Sequence, residues 1–136
     1  MKRLLFVLLL IIAAALLAAC GGEETSEPEP FAITITGDDA FIYDPASFSV
    51  ETGAEVSLTF KNIGGLDHNW IVVTEDTDVL TVTDASAYAG INAGMTTGGS
   101  EKTFTFTAPE PGTYKYVCTV AGHAAGGMVG TLTVTE

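Results

Sequence analysis

Hydrophobic and polar residues alternate along much of the chain beyond residue 30. In FAITIT (31–36), EVSLTFK (55–61) and KTFTFT (102–107), every second side chain is apolar or aromatic. A period of two predicts strands that bury one face and expose the other. Four further segments have the composition of strands, namely SFSVE, HNWIVV, GTYKYVC and MVGTLTVT. The pattern therefore predicts a protein built mainly of strands.

Turn-forming residues separate these predicted strands at short intervals. They include Gly37-Asp38-Asp39, Asp44-Pro45, Gly64-Gly65 and the run from Pro109 to Gly112. Short strands with frequent turns predict an all-β fold, a Greek-key β-sandwich, over residues 31–136. Residues 77–100 do not follow this pattern of short strands and turns, and they are predicted to be an irregular or short helical insertion. One more strand, a short helix and a long loop are the alternatives there.

The N-terminal segment has the organisation of an export signal. The basic residues Lys2 and Arg3 precede an unbroken apolar run over 4–17 and two alanines before Cys20. The sequence LAAC also resembles the bacterial lipobox, which implies lipidation of Cys20 and removal of residues 1–19 as a lipoprotein signal peptide. A plain secretory signal and an uncleaved membrane anchor are the alternatives.

A short polar segment follows the predicted lipid site. The sequence GGEETSEPEP (21–30) offers no apolar side chain to bury and is rich in Glu, Pro and Gly. Together with Cys20 it predicts a flexible acidic tether over residues 20–30. The predicted location is therefore extracytoplasmic, lipid-anchored to a bacterial membrane on its periplasmic or cell-surface side.

Composition and charge narrow the class of partner. The chain has 136 residues and 47% hydrophobic residues, which indicates one packed domain, and its formal net charge is -12. Removal of the signal leaves Lys61, Lys102 and Lys115 against 17 Asp and Glu, a charge of -14. Such a surface lacks the positive charge that binds phosphate backbones, so nucleic acid is excluded as a partner. The acidic surface either keeps the protein soluble or attracts a basic partner.

Potential metal ligands are concentrated near the C-terminus. In CTVAGHAAGGM (118–128), four residues separate Cys118 from His123 and four more separate His123 from Met128. The alternation places Cys118, Met128 and His68 on the inward faces at the ends of predicted strands, while His123 lies on the connecting loop. Neighbouring strands are expected to bring the four side chains together at one end of the sandwich.

The chemistry of this set favours copper. A thiolate, two imidazoles and a thioether are soft ligands that Mg²⁺ and Ca²⁺ reject, and Zn²⁺ rarely binds a thioether. A His₂Cys site with a weak axial Met is the blue-copper electron-transfer site. If Cys20 carries lipid, Cys118 also has no disulfide partner within the chain. The sequence therefore predicts one type 1 copper ion. Met95 is interpreted as a loop or surface contact.

The segments DHNW (67–70) and YKYVCTVAGHAAGGMVGTLTV (114–134) resemble the cupredoxins, and more closely the auracyanins and azurins. The resemblance covers most of residues 31–136. It implies that the copper ligands are His68, Cys118, His123 and the axial Met128. It also implies that Asn69 and Thr119 tie the two ligand-bearing segments together, and that backbone N–H groups of Asn69 and Val120 donate to the Cys118 sulfur.

The resemblance further implies a monomeric electron carrier that is not an enzyme. His68 is expected to be buried, and His123 to present its ring edge to solvent as the electron port. The surrounding residues are predicted to form a flat apolar surface, here termed the docking patch: Gly64, Gly65, Leu66, Ala121, Gly122, Ala124 and Ala125. Expected partners are redox proteins, such as a c-type cytochrome, a membrane electron-transfer complex, an oxidase or a photosynthetic reaction centre.

Two other classes of function are compatible with parts of the pattern. An extracytoplasmic copper storage or delivery protein usually needs several Met or Cys ligands, and only Met95 is spare here. A copper-free structural β-sandwich accounts for the fold but leaves the exported thiol of Cys118 without a role. Copper stoichiometry and a visible spectrum separate these classes from an electron carrier.

Overall fold

The computed structural model describes residues 29–136. The predicted signal peptide, Cys20 and all but the last two residues of the predicted tether lie outside this range. Within it, the helical elements are single 3-10 turns, and none is long and apolar enough to cross a bilayer.

Within residues 29–136, eight strands form two four-stranded sheets. Their bounds are β1 (Phe31–Gly37), β2 (Tyr43–Asp44), β3 (Ser47–Glu51), β4 (Glu55–Asn62), β5 (Ile71–Thr74), β6 (Glu101–Thr107), β7 (Gly112–Val117) and β8 (Val129–Thr135). The strand orders are β2-β1-β4-β6 and β3-β8-β7-β5. The pairs β1–β4 and β3–β8 are parallel, and the other pairs are antiparallel. The prediction of an all-β sandwich is confirmed.

Aromatic rings fill the space between the sheets. Trp70 and Tyr116 are fully buried with ring centroids 5.4 Å apart, and Tyr43 packs 5.3 Å from Tyr116. The Tyr116 hydroxyl donates to the carbonyl of Pro45 at 2.7 Å, so this buried polar group is paired. The ring also needs Gly130 opposite it, because a Cβ at that position would lie 2.0 Å from the ring. The size of the aromatic side chain thus explains a glycine inside β8.

The long connection between β5 and β6 contains two 3-10 turns, Asp84–Ser86 and Tyr88–Gly90. Within residues 29–136, two isolated β-bridges involve this connection, His68 with Thr96 just before β5 and Ile71 with Asn92 at the start of β5. The predicted irregular or short helical insertion at 77–100 is therefore found, and the alternative of one more regular strand is not.

This insertion also covers the outer face of β5. Ile71 and Val73 are fully buried, and Val79, Val82 and Ala87 pack against them. Because both faces of β5 are covered, its sequence is continuously apolar and does not alternate. The regular strand begins at Ile71, three residues later than the HNWIVV pattern predicts.

Candidate metal centre

Three ligand-type side chains meet at one end of the sandwich. The Nδ1 atoms of His68 and His123 lie 3.1 Å apart, and the Sγ atom of Cys118 lies 4.0 Å and 3.6 Å from them, respectively. His68 and Cys118 are fully buried, and His123 is 7% exposed. Three donor atoms therefore face one another in a nearly closed space, as a shared metal ion would require.

Strand register brings these side chains together. Ile71 of β5 pairs with Val117 of β7, and Val117 pairs with Val129 of β8. Cys118 and Met128 thus stand at adjacent ends of one ladder, and the N–H of Cys118 donates to the carbonyl of Met128 at 3.2 Å. Met128 is fully buried in the same apolar core as Cys118. The predicted convergence is observed for the side chains of His68, Cys118 and His123, and Met128 lies beside Cys118 along the backbone.

The loop from 118 to 128 is shaped by its small residues. The His123 N–H donates to the carbonyl of Val120 at 3.0 Å, and the Met128 N–H donates to the carbonyl of His123 at 3.0 Å. Gly122 and Gly127 adopt positive φ angles of 86° and 114°, which residues other than glycine rarely adopt. The sequence AGHAAGG therefore lets the chain fold back tightly and return His123 toward Cys118.

Burial and hydrogen bonding act in opposite directions on Cys118. Burial raises the pKa of its thiol, whereas the backbone N–H groups of Asn69 and Val120 donate to the sulfur and lower that pKa. For His123, burial and the neighbouring His68 lower the imidazole pKa, while the Asp39 carboxylate raises it. The net lowering favours the neutral imidazole, which is the form that binds a metal.

A polar cluster joins the two ligand-bearing segments. The side-chain amide of Asn69 donates from its nitrogen to the Thr119 hydroxyl at 2.7 Å. The backbone N–H of Thr119 donates in turn to the side-chain oxygen Oδ1 of Asn69, also at 2.7 Å. Asp84 accepts hydrogen bonds from both residues at 2.8 Å. Asp84 comes from the insertion and carries no local sequence signal for this contact. The cluster therefore links the residue that follows His68 to the residue that follows Cys118.

Asp39 is a second residue of the site that the sequence pattern does not indicate. Its Oδ1 atom lies 3.2 Å from Nε2 of His68 and accepts a hydrogen bond from the Leu66 N–H at 3.0 Å, while its Oδ2 atom accepts one from the Gly65 N–H at 2.8 Å. These two backbone donors, with a smaller effect from His68, lower the pKa of the Asp39 carboxyl. The motif Gly37-Asp38-Asp39 indicated a turn, and nothing local indicated that the turn reaches a histidine.

Phe41 covers the more exposed histidine. Its ring centroid is 4.4 Å from that of His123 with an interplanar angle of 30°, and 6.4 Å from that of His68. Phe41 has a φ of 60°, which is unusual for a bulky residue. Its ring therefore forms part of the wall between the cluster and solvent.

The structure corrects one member of the predicted docking patch. Ala124 is only 5% exposed and packs with Ile71, Val73 and Val117, so the prediction that it lies on the surface is wrong. The side chain turns inward because the insertion and β5 form an apolar surface beneath it. The other patch residues are half-buried or exposed, with Leu66 49% exposed. Met95 is 41% exposed, as expected of a surface contact.

The donor set fits copper. Its His and Cys ligand atoms lie within 4.8 Å of one another, and all three residues are buried. Two imidazoles with a thiolate suit a copper ion, and the hard carboxylate ligands preferred by Mg²⁺ or Ca²⁺ are absent from this group.

Comparison with known proteins also indicates a copper-binding protein. The family model described as copper-binding proteins of the plastocyanin/azurin family matches residues 31–135. Auracyanin-B of Chloroflexus aurantiacus is 34% identical over 114 residues, which cover 71% of this chain and 48% of auracyanin-B. Plastocyanin of Daucus carota is 39% identical over 98 residues, covering 72% of this chain and 92% of the plastocyanin. The match thus spans about half of auracyanin-B and nearly all of this plastocyanin.

Solved structures show the same similarity. A structure of auracyanin B has a TM-score of 0.68 at 31% identity, covering 85% of this chain and 97% of that one. A structure of dithionite-reduced auracyanin from Roseiflexus castenholzii has a TM-score of 0.64 at 33% identity and covers 77% of this chain and 97% of that one.

Proposed function

Because the chain belongs to the plastocyanin/azurin family of copper-binding proteins, we propose that it is a membrane-tethered blue copper protein that shuttles single electrons between redox partners. The observation that carries this proposal is the buried group of His68, Cys118 and His123, whose donor atoms already face one another. Met128 would complete the ligand set of this proposal. When bound, copper supplies the one-electron Cu(I)/Cu(II) couple.

The protein's contribution is to hold the ligands still. The cluster of Asn69, Thr119 and Asp84 fixes the chain beside two of the ligands, and the backbone N–H groups of Asn69 and Val120 hold the sulfur. Ligands that move little during electron transfer keep the reorganisation cost small. Two hydrogen bonds to the sulfur also reduce its donation to the metal, which favours Cu(I).

The proposed electron port is His123. It is the one histidine of the pair with measurable exposure, and Leu66, Ala121, Gly122 and Ala125 lie exposed around the loops that position the two histidines. The acidic surface favours a basic redox partner, such as a c-type cytochrome. A membrane electron-transfer complex, an oxidase or a photosynthetic reaction centre are further partners of this class. We propose that the protein acts as a monomer.

The experiment that tests the function uses the full-length protein in detergent. We expect one copper per chain, a strong red absorption that disappears and returns over one-electron redox cycles, and electron transfer to a basic cytochrome that slows as salt rises. A copper-loaded protein without colour would contradict the proposal. Several coppers per chain, or release of copper on reduction, would favour storage or delivery, and no copper binding would favour a structural role.

Replacement of Met128 by Leu is expected to raise the reduction potential while copper and colour are retained. The thioether stabilises Cu(II), and a branched alkyl group in this buried position makes the surroundings drier. We expect a rise of about 60 mV, which for one electron corresponds to a tenfold change in relative affinity for the two oxidation states. Redox titration measures the shift, and an unchanged or lower potential would show that Met128 is not axial.

Membrane attachment is proposed to depend on a lipidated Cys20. We expect the full-length protein to partition into membranes and Cys20→Ala to lose both lipid and membrane association. Acyl chains contribute about 0.8 kcal/mol per buried CH₂, and more than one chain is needed for stable anchoring. Cys118→Ala is the matched control and should keep its lipid. Mass spectrometry that finds an unmodified Cys20 in the mature protein would refute this prediction.

A further inference from the structure

The two clustered histidines differ in what holds their second ring nitrogen. His68 Nε2 lies 3.2 Å from the Asp39 carboxylate, whereas residues 29–136 provide no recorded hydrogen bond to Nε2 of His123. His68 is fully buried, and the Asp39 side chain is 46% exposed. A carboxylate at the protein surface thus reaches inward to one ligand-type histidine only.

The position of Asp39 is built into the fold. Its carboxylate is fixed by the N–H groups of Gly65 and Leu66, which belong to the loop that precedes His68. The loop also needs a glycine at position 64, because a Cβ there would lie 2.1 Å from Oδ1 of Asp39 and 2.9 Å from its backbone nitrogen. The contact with His68 is therefore one part of a fixed junction between the β1–β2 turn and the β4–β5 loop.

This contact selects one tautomer of His68. An ionised carboxylate can only accept hydrogen bonds, so the proton of the neutral imidazole resides on Nε2. The lone pair is then on Nδ1, which is the atom that faces Cys118 and His123. A carboxylate that shares the Nε2 proton also makes Nδ1 a stronger donor.

We propose that Asp39 is a positioning residue of the copper centre, which orients His68 through Nε2 and lowers the reduction potential. A stronger nitrogen donor and a nearby negative charge both stabilise Cu(II) more than Cu(I). Loss of either effect therefore raises the potential. This inference rests on the proposed function only in requiring that copper binds at this group.

Two substitutions disturb the contact in different ways. Asp39→Asn removes the charge with little change of shape, and Gly64→Ala keeps the charge but displaces the carboxylate. The matched controls are Asp67→Asn, which removes an exposed charge that makes no recorded side-chain hydrogen bond, and Gly65→Ala, where a Cβ would lie 3.4 Å from Asp39. All four changes are made in the full-length protein.

The measurements are the reduction potential, the Cu(II) affinity and NMR of the histidine ring protons in the Cu(I) protein. We expect both disturbing variants to raise the potential more than their controls and to weaken Cu(II) binding by roughly 10- to 100-fold. In the wild type, we expect a slowly exchanging His68 Nε2 proton at low field. In Asp39→Asn this signal should shift to higher field and exchange faster.

A rise in reduction potential in Asp39→Asn that is no larger than in Asp67→Asn would overturn the proposal. It would show that the loss of any nearby negative charge accounts for the effect. Absence of the His68 Nε2 proton signal in the wild type would also overturn the proposal. This test needs no variant, so it holds even if a substituted protein does not fold. If the variants remain blue with one copper but keep the wild-type potential, the inference about Asp39 fails and the proposed function stands. A colourless wild type would instead contradict the proposed function.

Discussion

Replacing Cys118 with Ala is expected to remove the blue colour completely and to leave a much weaker copper site. The red absorption of a type 1 site is a charge transfer from the thiolate to Cu(II), and Cys118 is the one thiol within residues 29–136. Its sulfur lies within 4.0 Å of both histidine nitrogens, so its loss leaves two imidazole nitrogens and the weakly donating thioether proposed for Met128. Visible spectroscopy and copper titration of the purified protein measure the two effects.

The matched control is Cys20→Ala, the other cysteine of the chain. It should bind copper and remain blue, because the colour depends on the buried thiol and not on the predicted lipid anchor. The apoprotein of Cys118→Ala should still fold, since the substitution removes a single buried sulfur from a core dominated by aromatic rings. Persistence of strong red absorption in Cys118→Ala would show that another group is responsible.

Replacing Ala124 with Asp is expected to destabilise the fold by roughly 3–5 kcal/mol, the usual cost of an unpaired charge in a protein interior. Ala124 is 5% exposed and is surrounded by Ile71, Val73 and Val117, none of which offers a side-chain partner to a carboxylate. Denaturant unfolding of the apoprotein measures the loss. Equal stability of the variant and the wild type would mean that this side chain is not buried in solution.

Ala125→Asp is the matched control for this change, because the neighbouring side chain is exposed. We expect its stability and spectrum to be near those of the wild type, and its electron transfer to the redox partner to be slower. A charge in the docking patch, redefined without Ala124, hinders close approach to His123. Transfer at the wild-type rate would place the electron port elsewhere on the molecule.

The residues that could be predicted from the sequence are those whose signal is local. Alternation predicted β1, β4 and β6 because one face of each strand packs on the core and the other does not. The copper-site residues His68, Cys118 and His123 could be grouped because two histidines and two cysteines are all that the chain contains. The ligand chemistry of these side chains follows from their residue types alone, without their distances.

The supporting residues could not be predicted in the same way. Asp39 contacts a histidine 29 positions away, and Asp84 contacts Thr119 35 positions away. Aspartates are common in this acidic chain, so composition does not distinguish these two from the others. Their roles depend on how loops meet after the sheets have formed, which no local pattern records.

The error at Ala124 has a related physical cause. A run of small residues between glycines looks like an exposed loop, and alanine is too small for its burial to be read from hydropathy. The side chain is buried because the 77–100 insertion covers β5 and extends the apolar surface to the loop. Burial at this position is therefore decided by a segment distant in the sequence.

The packing of Phe41 against His123 also bears on how a metal ion would enter the site. His68 and Cys118 have no exposed surface, so an ion arriving from solvent must pass His123, and Phe41 packs against that ring with a centroid distance of 4.4 Å. We expect copper uptake by the folded apoprotein to require this aromatic pair to separate. We therefore expect a smaller side chain at position 41 to accelerate both uptake and loss of the ion.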